Sequence, residues 1–123
     1  MKITIISVGK IKEKFFTEAI KEYIKRLSKY CKFIEEIVPD ERADESFSPA
    51  EIEQVKIKEG QKILNKIPKN SYVIVLDING AQLSSEAFAE KLNTFGIEGI
   101  SDITFIIGGS NGLWKEVIKS ADF

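Results

Sequence analysis

The sequence predicts an α/β domain built on a parallel sheet with helices on both faces. Three observations carry that reading. Short runs rich in Ile, Val and Thr, apolar throughout rather than alternating, occur at "KITIISV", "SYVIVL" and "ITFII", with a fourth, more polar run at "KFIEEIV". Unbroken apolar strands are the kind covered on both faces. Between each run and the next stands a longer segment with helical character, so the order is β-α-β-α-β-α-β-α. The 123 residues suffice for one domain and not for two ordinary ones.

The elements follow in order. Lys2–Val8 is the first strand. Glu13–Ser28 carries Phe16, Ile20, Tyr23, Ile24 and Leu27 at three- and four-residue spacings, an amphipathic helix on which Phe15, Phe16 and Tyr23 read as packing residues. Lys32–Val38 is the second strand, stopped by Pro39. "DERADESFS" is a polar loop. Ser48-Pro49-Ala50-Glu51 forms a capping box with proline at the first helical position, which starts a helix at Pro49 that runs to about residue 65. Pro68-Lys69-Asn70 is a turn, and 71–76 a third strand. Ser84 or Ser85 caps a helix with Ala87, Phe88, Leu92 and Phe95 on one face, ended by Gly96 and Gly99. Residues 103–107 form the fourth strand, and a last helix runs from Leu113 to about Lys119, with Trp114 as a core or interface anchor.

Composition narrows the function classes. A hydrophobic share of 43% beside 30% charged residues is that of a globular domain. No apolar run approaches the roughly 20 residues of a membrane span, and the N-terminal run lacks a signal-peptide cleavage site. The single cysteine, Cys31, leaves no intrachain disulfide and fits a reducing, cytoplasmic compartment. There is no histidine, which removes the commonest general base and metal ligand. No metal site is expected.

The net charge is −1, unlike a polycationic nucleic-acid binder, but the distribution is uneven. Lys10–Lys32 holds eight Lys/Arg and three Asp/Glu, a local +5; Glu35–Glu59 holds three and nine, a local −6. A basic first helix beside an acidic middle could mark an RNA-facing side, but from charge alone two ordinary solvated faces are the better explanation of the blocks.

Two loops follow strands at positions where ligands bind in parallel sheets, the carboxyl ends. One is "VLDINGAQLSS"; the other is "IIGGSNGLW". A phosphate loop would place its second glycine at position 113, where Leu113 stands, and Gly-x-Gly-x-x-Gly fails too. Gly108-Gly109 permits close approach of a ligand to the backbone, but taken alone the pair reads first as a bare strand-to-helix turn. Asp77 either caps its turn or bonds a ribose hydroxyl.

Taken together, "MKITIISVGKIKEKFFTEAIKEYIKRLSKYC", "VIVLDINGAQLSSEAFAEKL" and "SDITFIIGGSNGL" resemble the SPOUT-class methyltransferases of large-subunit ribosomal RNA. Within that class the resemblance is to the small family that methylates N3 of a pseudouridine, and it runs the length of the chain. It implies a parallel-sheet SPOUT fold of the α/β-knot type, with a C-terminal trefoil knot. It further implies S-adenosylmethionine (SAM) as cofactor, ribosomal RNA in the assembled ribosome as substrate, and a homodimer. Carried onto this chain, it assigns Leu76 and Gly108 to the cofactor pocket, with Gly109 added by adjacency. Family members carry a further strand, a cofactor-binding loop and a final helix ending in a Tyr-His segment. The 123-residue chain lacks them, which leaves the catalytic group unassigned and leads to an expectation of weak or absent activity. A non-catalytic α/β binding or dimerisation module with the same fold is the alternative.

Overall fold

The computed structural model describes residues 1–123. Four strands, β1 (Lys2–Val8), β2 (Lys32–Val38), β3 (Tyr72–Leu76) and β4 (Asp102–Ile107), form one sheet in the order β2-β1-β4-β3. Every pairing is parallel, with Ile3 opposite Phe33, Ile5 opposite Phe105, and Leu76 opposite Ile107. The connections are the helices α1 (Lys14–Leu27), α2 (Pro49–Lys66) and α3 (Ser85–Ile97), followed after β4 by the short α4 (Lys115–Lys119). The α/β class and the parallel sheet expected from the apolar runs are therefore present.

Alternate residues of each strand divide two hydrophobic clusters between the sheet faces. On one face Ile6, Val38, Val73 and Ile106 meet Ile63 of α2 and Val117 of α4, joined by Leu113. On the other, Ile74, Ile103 and Phe105 meet Phe95 of α3. Ile6, Ile103 and Ile106 are wholly buried, each contributing on the order of 2 kcal/mol by area removed from water.

The caps explain where the helices begin and end. Ser48 Oγ accepts from the Glu51 N–H at 3.2 Å while Glu51 Oε1 accepts from the Ser48 N–H at 3.1 Å, the reciprocal capping box. The α3 terminus departs from the sequence expectation: Gly96 lies inside the helix, and Gly99 alone closes it. Gly99 takes φ +84° and donates to the Gly96 carbonyl, while the Ile100 N–H reaches the Phe95 carbonyl at 2.8 Å. That is a Schellman arrangement, which needs glycine one residue past the cap. Similarly, α4 begins at Lys115 rather than Leu113, because Leu113 is drawn into the core and Trp114 caps the helix.

The largest correction concerns α1. Phe15, Phe16 and Tyr23 do not pack: they are 66%, 52% and 63% exposed, and no residue of α1 is buried. Only Thr17, Ile20 and Ile24 are partly covered. The apolar arc of this helix is wider than the strip the sheet can reach. Trp114 does pack, against the cluster around Ile106 and against Gly60 of α2, where a Cβ would come within 2.7 Å of the indole.

Candidate functional site at the carboxyl edge of the sheet

A parallel sheet delivers all its strand-to-helix loops to one edge. The order β2-β1-β4-β3 places the reversal of strand order between β1 and β4, so the loops after β1, β3 and β4 are neighbours there. The register Leu76↔Ile107 sets the ends of β3 and β4 side by side, so the two loops singled out in the sequence adjoin.

The two loops face differently. Leu76 is half exposed and opens, with the Asp77–Gly80 turn, into a cleft of about 1080 Å³ on the α1/α3 face of the sheet. The floor is apolar, formed by Ile3, Ile5, Phe33 and Phe105, and Phe88 and Leu92 of α3 wall one side. The turn closes through the Gly80 N–H, which donates to the Asp77 carbonyl at 3.0 Å. Gly108 and Gly109 do not line that cleft. A Cβ on Gly108 would meet Leu113 at 2.8 Å, and one on Gly109 would meet Val8 at 3.1 Å. Both glycines thus let β4 turn tightly under its own neighbours. The turn is completed by the Gly112 N–H donating to the Gly109 carbonyl at 3.1 Å, with Gly112 at φ +83°.

One buried charge at this edge escaped the sequence reading. Glu59 of α2 is only 4% exposed. Its Oε2 accepts from the Glu41 N–H at 2.9 Å, and its Oε1 lies near the Gly109 backbone. It therefore ties the loop after β2 to α2, beside the glycine turn. Burial pushes its carboxyl above the ordinary range, and the nearby Asp40 and Glu41 add to this; the Glu41 N–H and Lys62 oppose it. Glu41 is held below the ordinary range by Lys62, whose Nζ donates to Glu41 Oε1 at 2.7 Å. The signal was present in the sequence. Val55, Glu59 and Ile63 recur at four-residue spacing on the buried stripe of α2, where a carboxylate is out of place. No group of three Asp, Glu, Cys or His is arranged to hold a metal ion.

A parallel sheet with an apolar cleft and clustered loops at its carboxyl edge puts the chain in the class of open α/β proteins, whose ligands, where they have them, bind at that edge. The family is set by comparison. Residues 1–123 match the family model described as "Predicted SPOUT methyltransferase", and the chain belongs to that family of methyltransferases. SPOUT methyltransferases generally take their methyl group from SAM.

Proposed function

We propose that this chain is a SAM-dependent methyltransferase of large-subunit ribosomal RNA, acting on N3 of a pseudouridine as a cytoplasmic homodimer. The observation that carries the reading is the adjacency of the "VLDING" and "IIGGSNG" loops, within a chain matched end to end by the family. Leu76 offers apolar contact for an adenine, and the turn beside it offers backbone donors and acceptors. Gly108 and Gly109 supply the tight turn that packs the second loop on its own Leu113 and on Val8 of β1. SAM has no phosphate, so a site without a phosphate loop suits it. When bound it supplies a sulfonium methyl, and the chain's task is to hold acceptor and donor in line, which accounts for much of the acceleration in such displacements. The open apolar cleft supports pairing with a second copy, since soluble monomers rarely leave so large an apolar face uncovered.

The test is an amide NMR titration with SAM, which also detects weak binding. The expected result is that amides of 76–80 and 108–112 shift while those of 99–102 at the opposite edge do not, and that Leu76→Arg abolishes the shifts. Unchanged spectra at millimolar SAM would instead favour a non-catalytic module. The filling of the Gly108 and Gly109 spaces by Leu113 and Val8 supports that second reading, because packing alone accounts for both glycines. For the substrate, methyl transfer to intact ribosomes and not to a bare RNA hairpin is expected.

A further inference from the structure

We infer that the exposed side of α1, with the β1–α1 loop that feeds it, is a docking surface for RNA that leads the strand to the carboxyl edge. The inference rests on the ribosomal-RNA reading above and adds the surface which that reading lacks.

The first observation is unpaired charge. Of the eight cations between Lys10 and Lys32, Lys14 and Arg26 pair with Glu18 and Glu22 of their own helix. Lys10, Lys12, Lys21, Lys25, Lys29 and Lys32 enter none of the chain's eight ion pairs. Elsewhere most cations are paired, as in Lys62–Glu41, Lys66–Glu36 and Arg42–Asp44, and the unpaired ones, Lys58, Lys69, Lys91 and Lys115, are scattered along the chain. In a chain of net charge −1, six unmatched lysines within 23 residues form a local field that repels itself and attracts a polyanion.

The second observation is the aromatic side chains between those cations. Phe15, Phe16 and Tyr23 stand clear of the sheet, and Tyr30 beyond the helix is 78% exposed. Of the helix residues only Leu27 lines the apolar cleft, so this aromatic strip is a separate surface. Arg26 lies over the Tyr23 ring at 5.7 Å. Exposed rings flanked by free cations are what unstacked bases and their phosphates require. A protein-docking stripe would be expected to avoid uncompensated lysines at its core.

The third observation is topological. Every strand is parallel, so Lys10 and Lys12 in the loop after β1, and Phe15 and Phe16 in the first turn of α1, stand at the same edge as Asp77–Gly80 and Gly108–Gly112. Lys21 and Lys25 of α1 continue away from that edge four residues apart, and Lys29 follows in the turn beyond the helix, as a track for a backbone.

The test is fluorescence anisotropy of a short, labelled single-stranded RNA of mixed sequence, across about 50 to 200 mM salt and without SAM. Two variants are compared with the unaltered chain: Lys21→Glu/Lys25→Glu/Lys29→Glu, and Phe15→Ala/Phe16→Ala. All five side chains are exposed, and circular dichroism checks that both variants fold. The charge variant is expected to lower the slope of log affinity against log salt by about 2, at roughly 0.7 per lost phosphate contact. The aromatic variant is expected to bind about tenfold more weakly at an unchanged slope. If the unaltered chain binds RNA and both variants bind equally well, the surface is wrong while the RNA reading stands. If the unaltered chain binds no RNA, both fail. If the aromatic variant instead abolishes self-association in light scattering and leaves RNA affinity intact, α1 is a protein interface and the inference is overturned.

Discussion

Glu59 occupies a position where the helix stripe asks for an apolar side chain, and its surroundings show the consequence. Removing a carboxylate from water is costly, and here one backbone N–H, with Lys62 nearby, offsets only part of that cost. Its folded pKa is raised, so the stability linked to it is fully present below the ordinary carboxylate range. That stability is lost as pH rises through the raised value. Glu59→Gln keeps an acceptor for the Glu41 N–H and carries no charge. It should therefore match the unaltered chain near pH 4 and exceed it in stability by pH 8. Urea denaturation of both chains across that range measures the difference; a gap that is the same at both ends would show that Glu59 does not ionise within it. The sequence contained this residue's place, since the spacing of Val55, Glu59 and Ile63 puts it on the buried stripe. What it did not contain was the partner. The Glu41 N–H lies 18 positions away and reaches Glu59 only once β2 and α2 are in place.

Elements whose signals are local were legible. The Ser48 capping box and its Pro49 fix the start of α2 from four consecutive residues, and the apolar runs fix β1, β3 and β4 to within a residue or so. Where the reading failed, the missing information was tertiary. Periodicity gave α1 an apolar face but not how wide an arc of it the sheet covers. The sheet covers Thr17, Ile20 and Ile24 and leaves the aromatics in water. Gly96 misled for a related reason: in a helix pattern a glycine looks like a stop, yet only Gly99 adopts the left-handed conformation that ends α3. The packing of α1 has a dynamic consequence. A helix that buries no side chain gains little from tertiary contact, and 14 residues are marginal for helix stability alone. In the isolated chain, α1 amides should exchange with solvent well before those of α2, which buries Val55, Glu59, Gly60 and Ile63. Native-state hydrogen exchange reads this directly, and equal protection of the two helices would mean that α1 opens only with the whole domain.

At the scale of the molecule, the strand order decides most. Nothing in the sequence says that β4 inserts between β1 and β3, because an apolar run specifies coverage and not neighbours. That insertion brings the Leu76 and Gly108 loops together, and it also makes β1 and β4 common walls of both hydrophobic clusters. Ile106 faces one cluster and Phe105 the other, one peptide apart on the same strand. The clusters are therefore expected to melt as one unit despite lying on opposite faces. Phe95→Ala removes the α3 ring that packs on Ile74, Ile103 and Phe105 and contacts the Tyr72 ring at 4.6 Å. It should cost about 3–5 kcal/mol, as large-to-small changes in cores do. The informative probe is Trp114, which lies across the sheet in the Ile106 cluster. If the fold is one cooperative unit, its fluorescence transition in Phe95→Ala shifts by the full amount and coincides with the loss of helix seen by circular dichroism. A Trp114 transition left at its original midpoint would mean that the two faces melt separately. The β3 and β4 loops would then be joined by pairing between the strands and not by a shared core.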